Sequence, residues 1–105
     1  MGYTNIEAEF YMLSKEDGGR SAPVSTGYSP NHKFDDDSYY IGLIEFLDES
    51  RHYPGEKNIV KIKMLDSPGC QERLIPGFEW DVTEGVHVIG RARVISIIGH
   101  VETSD

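Results

Sequence analysis

Four histidines, one cysteine and 18 carboxylates are the side chains of this chain that could do chemistry. Zinc sites need thiolates or imidazoles at close, regular spacing, and no such spacing relates His32, His52, His87 and His100. The lone Cys70 would need a neighbouring base to act as a nucleophile. Neither the phosphate-loop pattern G-x-x-x-x-G-K-S/T nor a nucleophile elbow is present. We therefore predict no metal, cofactor, nucleotide or catalytic residue, and a protein that is not an enzyme.

The densest group of charges is the acidic run Asp35-Asp36-Asp37. A divalent-cation loop would place its carboxylates at alternating positions and add further oxygen ligands, so this run is interpreted as a solvated loop. The whole chain carries 18 acidic and 10 basic residues, for a net charge of -8. Nucleic-acid affinity comes from cations that neutralise phosphates. The charge balance therefore disfavours such a partner, although a local basic patch could override it.

The elements that must position these residues are predicted to be strands. Residues alternate between apolar and polar along several short segments, Gly and Pro punctuate the chain, and no window keeps helical spacing over three turns. This pattern predicts an all-β barrel or sandwich, with bends or bulges at Gly42 and Gly90. The predicted strands are Ile6–Leu13, Gly27–Phe34, Tyr39–Leu47, Lys57–Leu65, Phe78–Val82 and Val86–Ile98, with Phe78, Trp80 and Val82 packing into the core.

The 105 residues are predicted to form a single domain, 1–105, with a core at about 6–98. Met1–Asn5 is expected to be a loose lead-in, and the polar tail Gly99–Asp105 is expected to fray. One cysteine permits no internal disulfide, which favours a reducing compartment. No signal-peptide pattern is found, and no apolar run reaches the roughly 20 residues that span a bilayer. We therefore expect a soluble, cytoplasmic protein that does not bind membranes.

The most distinctive stretch of the chain is Leu13–Phe34, which contains S-K-x-x-G-G-R, then P, then G-Y-x-P, then F. This order resembles the opening of the third domain of elongation factor Tu, its C-terminal β-barrel. Further along, Pro54-Gly55-Glu56 before a strand and Glu84-Gly85 before a long closing strand also fit the family pattern. The resemblance implies a closed antiparallel six-stranded Greek-key barrel like that domain. The GTPase site of the family lies in a different domain.

In the family this barrel contacts the T-stem of aminoacyl-tRNA through cationic and hydroxyl side chains. Here the arginine of the family's G-Y-R-P is Ser29, and the R-T-T after the phenylalanine is the aspartate run Asp35–Asp37. Loss of positive charge beside phosphates weakens binding. The comparison with the family therefore makes tRNA an unlikely partner of this chain. The alternative is a residual tRNA- or RNA-binding domain related to translation elongation, with Tyr28, Asn31 and Lys33 as the RNA-facing residues.

The family also uses this barrel to bind proteins, and the loops that pack on its GTPase domain are retained here. The resemblance therefore implies a non-enzymatic protein-binding module that imitates the third domain of elongation factor Tu. It would act in translation as a regulator, a decoy or an antitoxin-like protector, with a translation-factor GTPase domain or a ligand of elongation factor Tu as partner. The residues implied are Lys15, Gly18, Gly19, Arg20, Glu84 and Gly85. The competing interpretation of Gly18-Gly19-Arg20 is a tight turn in which Arg20 bonds nearby carbonyls.

Overall fold

Six antiparallel strands close into a barrel in the computed structural model, which describes residues 2–48 and 51–103. The order around the barrel is β1-β4-β3-β2-β5-β6, so β2, β3 and β4 follow one another while β1 returns beside β4. That arrangement is a Greek key, and the predicted all-β class and six-stranded closure are confirmed. The strands are β1 Gly2–Met12, β2 Asn31–Asp35, β3 Ser38–Phe46, β4 Lys57–Leu65, β5 Glu79–Glu84 and β6 His87–Glu102, with short 3-10 turns at Lys15–Asp17 and Gln71–Arg73.

The barrel interior is filled by alternate residues of the strands, most regularly along β1 and β4. Along β1 the burial alternates strictly from Gly2 to Met12, because successive side chains of a strand point to opposite faces. Trp80 and Val82 are fully buried and Phe78 packs against them, which confirms the predicted core face of this segment. Each large apolar side chain buried in this way contributes roughly 1.5–3 kcal/mol to the free energy of unfolding.

Both predicted loose ends of the chain are wrong within the described residues. β1 already begins at Gly2 and β6 continues to Glu102, and the two pair as Gly2↔Glu102 and Tyr3↔Val101. The two ends satisfy each other's backbone hydrogen bonds, which composition alone does not reveal. Met1, Ser104 and Asp105 lie outside the described residues.

The segment predicted as the second strand, Gly27–Phe34, is shorter than expected. Regular pairing begins only at Asn31, directly after Pro30. Before the proline, Tyr28 forms one isolated bridge to Ile44. Proline lacks the N–H that would continue the ladder, so the start of β2 is set by Pro30.

Gly42 and Gly90, the two glycines predicted to interrupt strands, are accommodated for different structural reasons. The predicted irregularity at Gly90 is confirmed by a register shift between Val82 and Thr83 on the paired strand β5. No bulge occurs at Gly42, because it pairs regularly with Met64; the alternative of a bend stays a prediction. A Cβ at Gly42 would lie 2.9 Å from His32 Nε2, so the glycine leaves room for a buried imidazole ring.

We expect Gly90→Ala to lower the free energy of unfolding by about 2 kcal/mol, as overpacking does in a tight core. A Cβ at this position would lie 2.5 Å from the Tyr11 carbonyl oxygen and 2.9 Å from the Phe10 ring. Urea denaturation followed by circular dichroism measures the change. Gly99→Ala is the matched control, since a Cβ there meets nothing within 4 Å. Equal stability of the two variants would contradict the expectation.

No helix among residues 2–48 and 51–103 is both long and apolar enough to cross a membrane.

Candidate protein-binding surface

The loop after β1 is shaped by its serine and its two glycines. The Ser14 hydroxyl accepts a hydrogen bond from the Asp17 backbone N–H at 3.2 Å and caps the 3-10 turn. Gly18 ends the turn with a φ of +92°, a conformation that L side chains rarely adopt. A Cβ at Gly19 would collide with the Leu13 carbonyl oxygen. The tight-turn interpretation therefore accounts for both glycines.

This loop meets the β5–β6 turn. The Gly18 carbonyl oxygen lies 2.6 Å from Nε2 of His87, and Arg20 forms an ion pair with Glu84. The chain reverses direction in this turn at Gly85, which has a φ of +60°. We call the combined area, residues 15–20 and 84–87, the loop–turn surface.

An internal network holds the loop–turn surface together. The Tyr28 hydroxyl donates to Glu84 Oε2 at 2.6 Å, and the Arg20 guanidinium lies 5.4 Å from the centre of the Tyr28 ring. Arg20 Nε also donates to the Ala22 carbonyl oxygen at 3.2 Å. The pKa of Tyr28 is raised above its usual value. Burial is the largest cause, and the hydrogen bond to Glu84 is the next. Arg20, Tyr28 and Glu84 therefore form a charge-assisted support for the surface.

The exposed part of the loop–turn surface surrounds that support. Lys15, Glu16 and Asp17 are exposed on the 3-10 turn, and Val86 at the tip of the hairpin is 90% exposed. Beside the ion pair, an open cleft of about 390 Å³ is lined by Gly19, Arg20, Ser21, Ala22 and Glu84. The surface thus offers a cation, two carboxylates, a branched apolar side chain and a concave edge.

The three residues predicted to face RNA have different surroundings. Tyr28 belongs to the network just described, whereas Asn31 and Lys33 alternate along the outward face of β2. The Lys33 ammonium lies 3.8 Å from Asp36 Oδ1 and 5.8 Å from the centre of the Tyr39 ring. The cation is therefore already close to a carboxylate, which weakens any attraction to phosphate.

The aspartate run forms the turn between β2 and β3. Asp35 accepts a hydrogen bond from the Asp37 backbone N–H at 2.9 Å, and its Oδ2 lies 2.7 Å from Arg73 Nη1. These contacts lower the pKa of Asp35, and the hydrogen bond from the Asp37 N–H has the largest effect. Asp36 and Asp37 are exposed, so the run acts as a solvated turn with one anchored carboxylate.

His32 is a buried polar side chain inside the barrel. Its Nδ1 accepts a hydrogen bond from Trp80 Nε1 at 2.9 Å, and its Nε2 lies 3.2 Å from the Gly42 carbonyl oxygen. Burial lowers its pKa to about 4. The sequence contained a signal for this burial. His32 lies two residues before Phe34, so in a strand both side chains point to the same, buried face.

Cys70 lies in the turn-rich segment between β4 and β5, and its side chain packs into the core. The thiol is fully buried. Burial, with a smaller contribution from Asp66 and then Glu72, raises its pKa to about 12. Because the thiolate is the reactive form of cysteine, this thiol is unreactive at neutral pH.

One set of possible metal ligands lies at the paired chain ends. Asp66, His100 and Glu102 each offer a donor atom, and these atoms lie within 4.8 Å of one another. His100 Nε2 is 2.9 Å from Asp66 Oδ2, and its Nδ1 is 3.6 Å from Glu102 Oε2. These are the contacts of an imidazole held between two carboxylates. Spacing in the sequence could not reveal the set, since Asp66 comes from a different strand end; the absence of a metal stays a prediction.

Comparison with protein-family models finds none that matches the chain. The resemblance to the third domain of elongation factor Tu therefore rests on the residues quoted in the sequence analysis.

Proposed function

We propose that this chain is a non-enzymatic protein-binding module that uses the loop–turn surface. The observation that carries the proposal is the convergence of two segments separated by 64 residues, held by the Arg20–Glu84 ion pair and the Tyr28–Glu84 hydrogen bond. A surface organised before binding loses less conformational entropy when its partner arrives. The mixture of an exposed apolar tip and charged neighbours is also typical of transient interfaces.

The partner we propose is the GTPase domain of a translation factor, or a protein ligand of elongation factor Tu. The support is the resemblance, since the corresponding loops of that family pack on its GTPase domain. The chain would then act as a regulator, a decoy or a protector of the factor. Arg20 and Glu84 would contribute as positioning residues, while Lys15 and Val86 would contact the partner.

Binding to purified elongation factor Tu and to its isolated GTPase domain, measured by biolayer interferometry, tests this proposal. We expect Lys15→Glu and Val86→Asp each to weaken binding by about tenfold or more, since exposed contacts can be removed without disturbing the barrel. Ile75→Asp is the matched control: Ile75 is 60% exposed and lies in the loop before β5, at the opposite end of that strand from Glu84.

Two results would count against the proposed function. The first is no detectable binding to either the factor or its GTPase domain. The second is binding that Ile75→Asp weakens as strongly as Val86→Asp does. A parallel titration with tRNA addresses the alternative: affinity that falls steeply with added salt would favour residual RNA binding.

A further inference from the structure

One mouth of the barrel is bordered by the start of β1 and by the ends of β4 and β6. On this side Gly2 pairs with Glu102, and Thr4 pairs with His100. Thr4 is only 6% exposed and shares the inward face of β1 with Gly2. Directly opposite residues of an antiparallel pair project from the same face of the sheet. His100 and Glu102 therefore lie in the inward phase at the mouth of the barrel.

A third side chain reaches the same mouth from the end of β4. Asp66 directly follows Leu65, the last residue of that strand, and lies two residues beyond the fully buried Met64. The Asp66 backbone N–H donates to the Gly2 carbonyl oxygen at 3.0 Å, and Asp66 Oδ2 accepts from the Gly2 N–H at 3.0 Å. These two hydrogen bonds hold the carboxylate in place, as the outer partners of a metal ligand do.

The histidine and the two carboxylates have the dimensions of a metal site. Their donor atoms lie within 4.8 Å of one another, and His100 Nε2 is 2.9 Å from Asp66 Oδ2. Tetrahedral zinc holds imidazole nitrogen and carboxylate oxygen at about 2.0–2.2 Å, which places its ligands about 3.4 Å apart. The Glu102 side chain is 69% exposed, so its carboxylate can turn toward the same imidazole nitrogen without displacing a core residue.

Gly2 provides the space in which the two carboxylates approach each other. A Cβ at this position would lie 3.1 Å from Glu102 Oε2 and would collide with the Val101 carbonyl oxygen. Because β1 has no side chain here, nothing of Gly2 stands between Glu102 on β6 and Asp66 beyond β4. The missing side chain thus leaves a cradle across β1 that is bordered by oxygen ligands on both sides.

We propose that Asp66, His100 and Glu102 bind Zn²⁺ at this mouth of the barrel, with water completing the coordination. The imidazole decides the class of metal, since it suits zinc, whereas calcium and magnesium prefer sites made of oxygen ligands. The two carboxylates balance the charge of the ion, which in turn removes their mutual repulsion in a chain of net charge -8. The prediction of no metal relied on spacing along the sequence, which does not relate Asp66 to the histidine.

Isothermal titration calorimetry of the full chain with zinc chloride tests the proposal. We expect one ion per chain, and we expect His100→Ala and Glu102→Gln each to weaken binding by about tenfold or more, as loss of a metal ligand does. His87→Ala, at an exposed histidine on the loop–turn surface, is the matched control and should bind zinc like wild type. Zinc should also raise the melting temperature of wild type more than that of His100→Ala, because the ion binds the folded barrel.

Two further measurements separate a built site from general attraction of cations to an acidic chain. Cobalt(II) in place of zinc should show the visible absorption of a four-coordinate ion, and His100→Ala should remove it. Excess Ca²⁺ should leave the zinc affinity unchanged. The proposal would be overturned by the absence of saturable binding, by equal weakening in His87→Ala and His100→Ala, or by displacement of zinc by calcium. Val86→Asp should leave zinc binding intact, so this proposal and the proposed function fail independently.

Discussion

Replacing Trp80 with alanine is expected to lower the free energy of unfolding by about 4 kcal/mol, the size typical of removing a buried aromatic ring. Trp80 is only 2% exposed, and its ring centre lies 5.3 Å from that of Phe34 and 5.7 Å from that of Phe78. The substitution would leave a cavity among these rings. It would also leave His32 Nδ1 without the indole N–H that it accepts at 2.9 Å.

Urea denaturation followed by far-ultraviolet circular dichroism measures this effect, because Trp80 is the only tryptophan and its fluorescence is lost with it. Trp80→Phe is the informative control. It keeps an aromatic ring in the core but removes the N–H donor, so we expect a loss of about 1–3 kcal/mol from the unsatisfied imidazole and the smaller ring. An alanine variant as stable as the phenylalanine variant would show that the cavity collapses at no cost.

Acidification is expected to destabilise the barrel through His32. Its pKa is lowered to about 4 in the folded chain, whereas an unfolded histidine titrates near its ordinary value of about 6.5. Between these values the unfolded state takes up a proton that the folded state refuses. The contribution of His32 is therefore fully present above pH 6.5 and is lost as the pH falls to about 4. The loss is on the order of 3 kcal/mol.

The pH dependence of urea unfolding isolates this contribution. His32→Gln removes the titrating group and retains an amide that can donate toward the Gly42 carbonyl oxygen, which lies 3.2 Å from His32 Nε2. It should lower stability at neutral pH and flatten the change between pH 6.5 and 4. His87→Gln, at an exposed histidine on the loop–turn surface, is the matched control for replacing a histidine outside the core. Identical slopes for wild type and His32→Gln would contradict the assignment.

The hydrogen bond between Trp80 and His32 connects the predictions made for these two residues. Since Trp80 donates to His32, removing either partner leaves a buried polar group unpaired, and the effects of the two substitutions should not add. The pair therefore behaves as one polar unit inside an otherwise apolar core.

The local sequence pattern was sufficient to predict the bounds of one strand, β4. β4 has the predicted bounds Lys57–Leu65, because alternation places Val60, Ile62 and Met64 on one face and a single register buries all three. The grouping of Arg20 with Glu84 was likewise available, through the resemblance, before the barrel was seen. That these two side chains bind each other, with Tyr28 as a third partner, was not available, since residues so far apart in sequence meet only when the barrel closes.

The sequence by itself determined the all-β class, the approximate positions of the strands and the inward faces of β1, β4 and β5, because these follow from period-two alternation and from where glycine and proline fall. Only the tertiary structure decided what each polar group does. Closure of the barrel buries His32 against Trp80, pairs the chain ends that composition marks as loose, and lines Tyr3 up with Leu65 and Val101. The physical reason is that burial and pairing depend on neighbours across the sheet, and those neighbours come from distant parts of the chain.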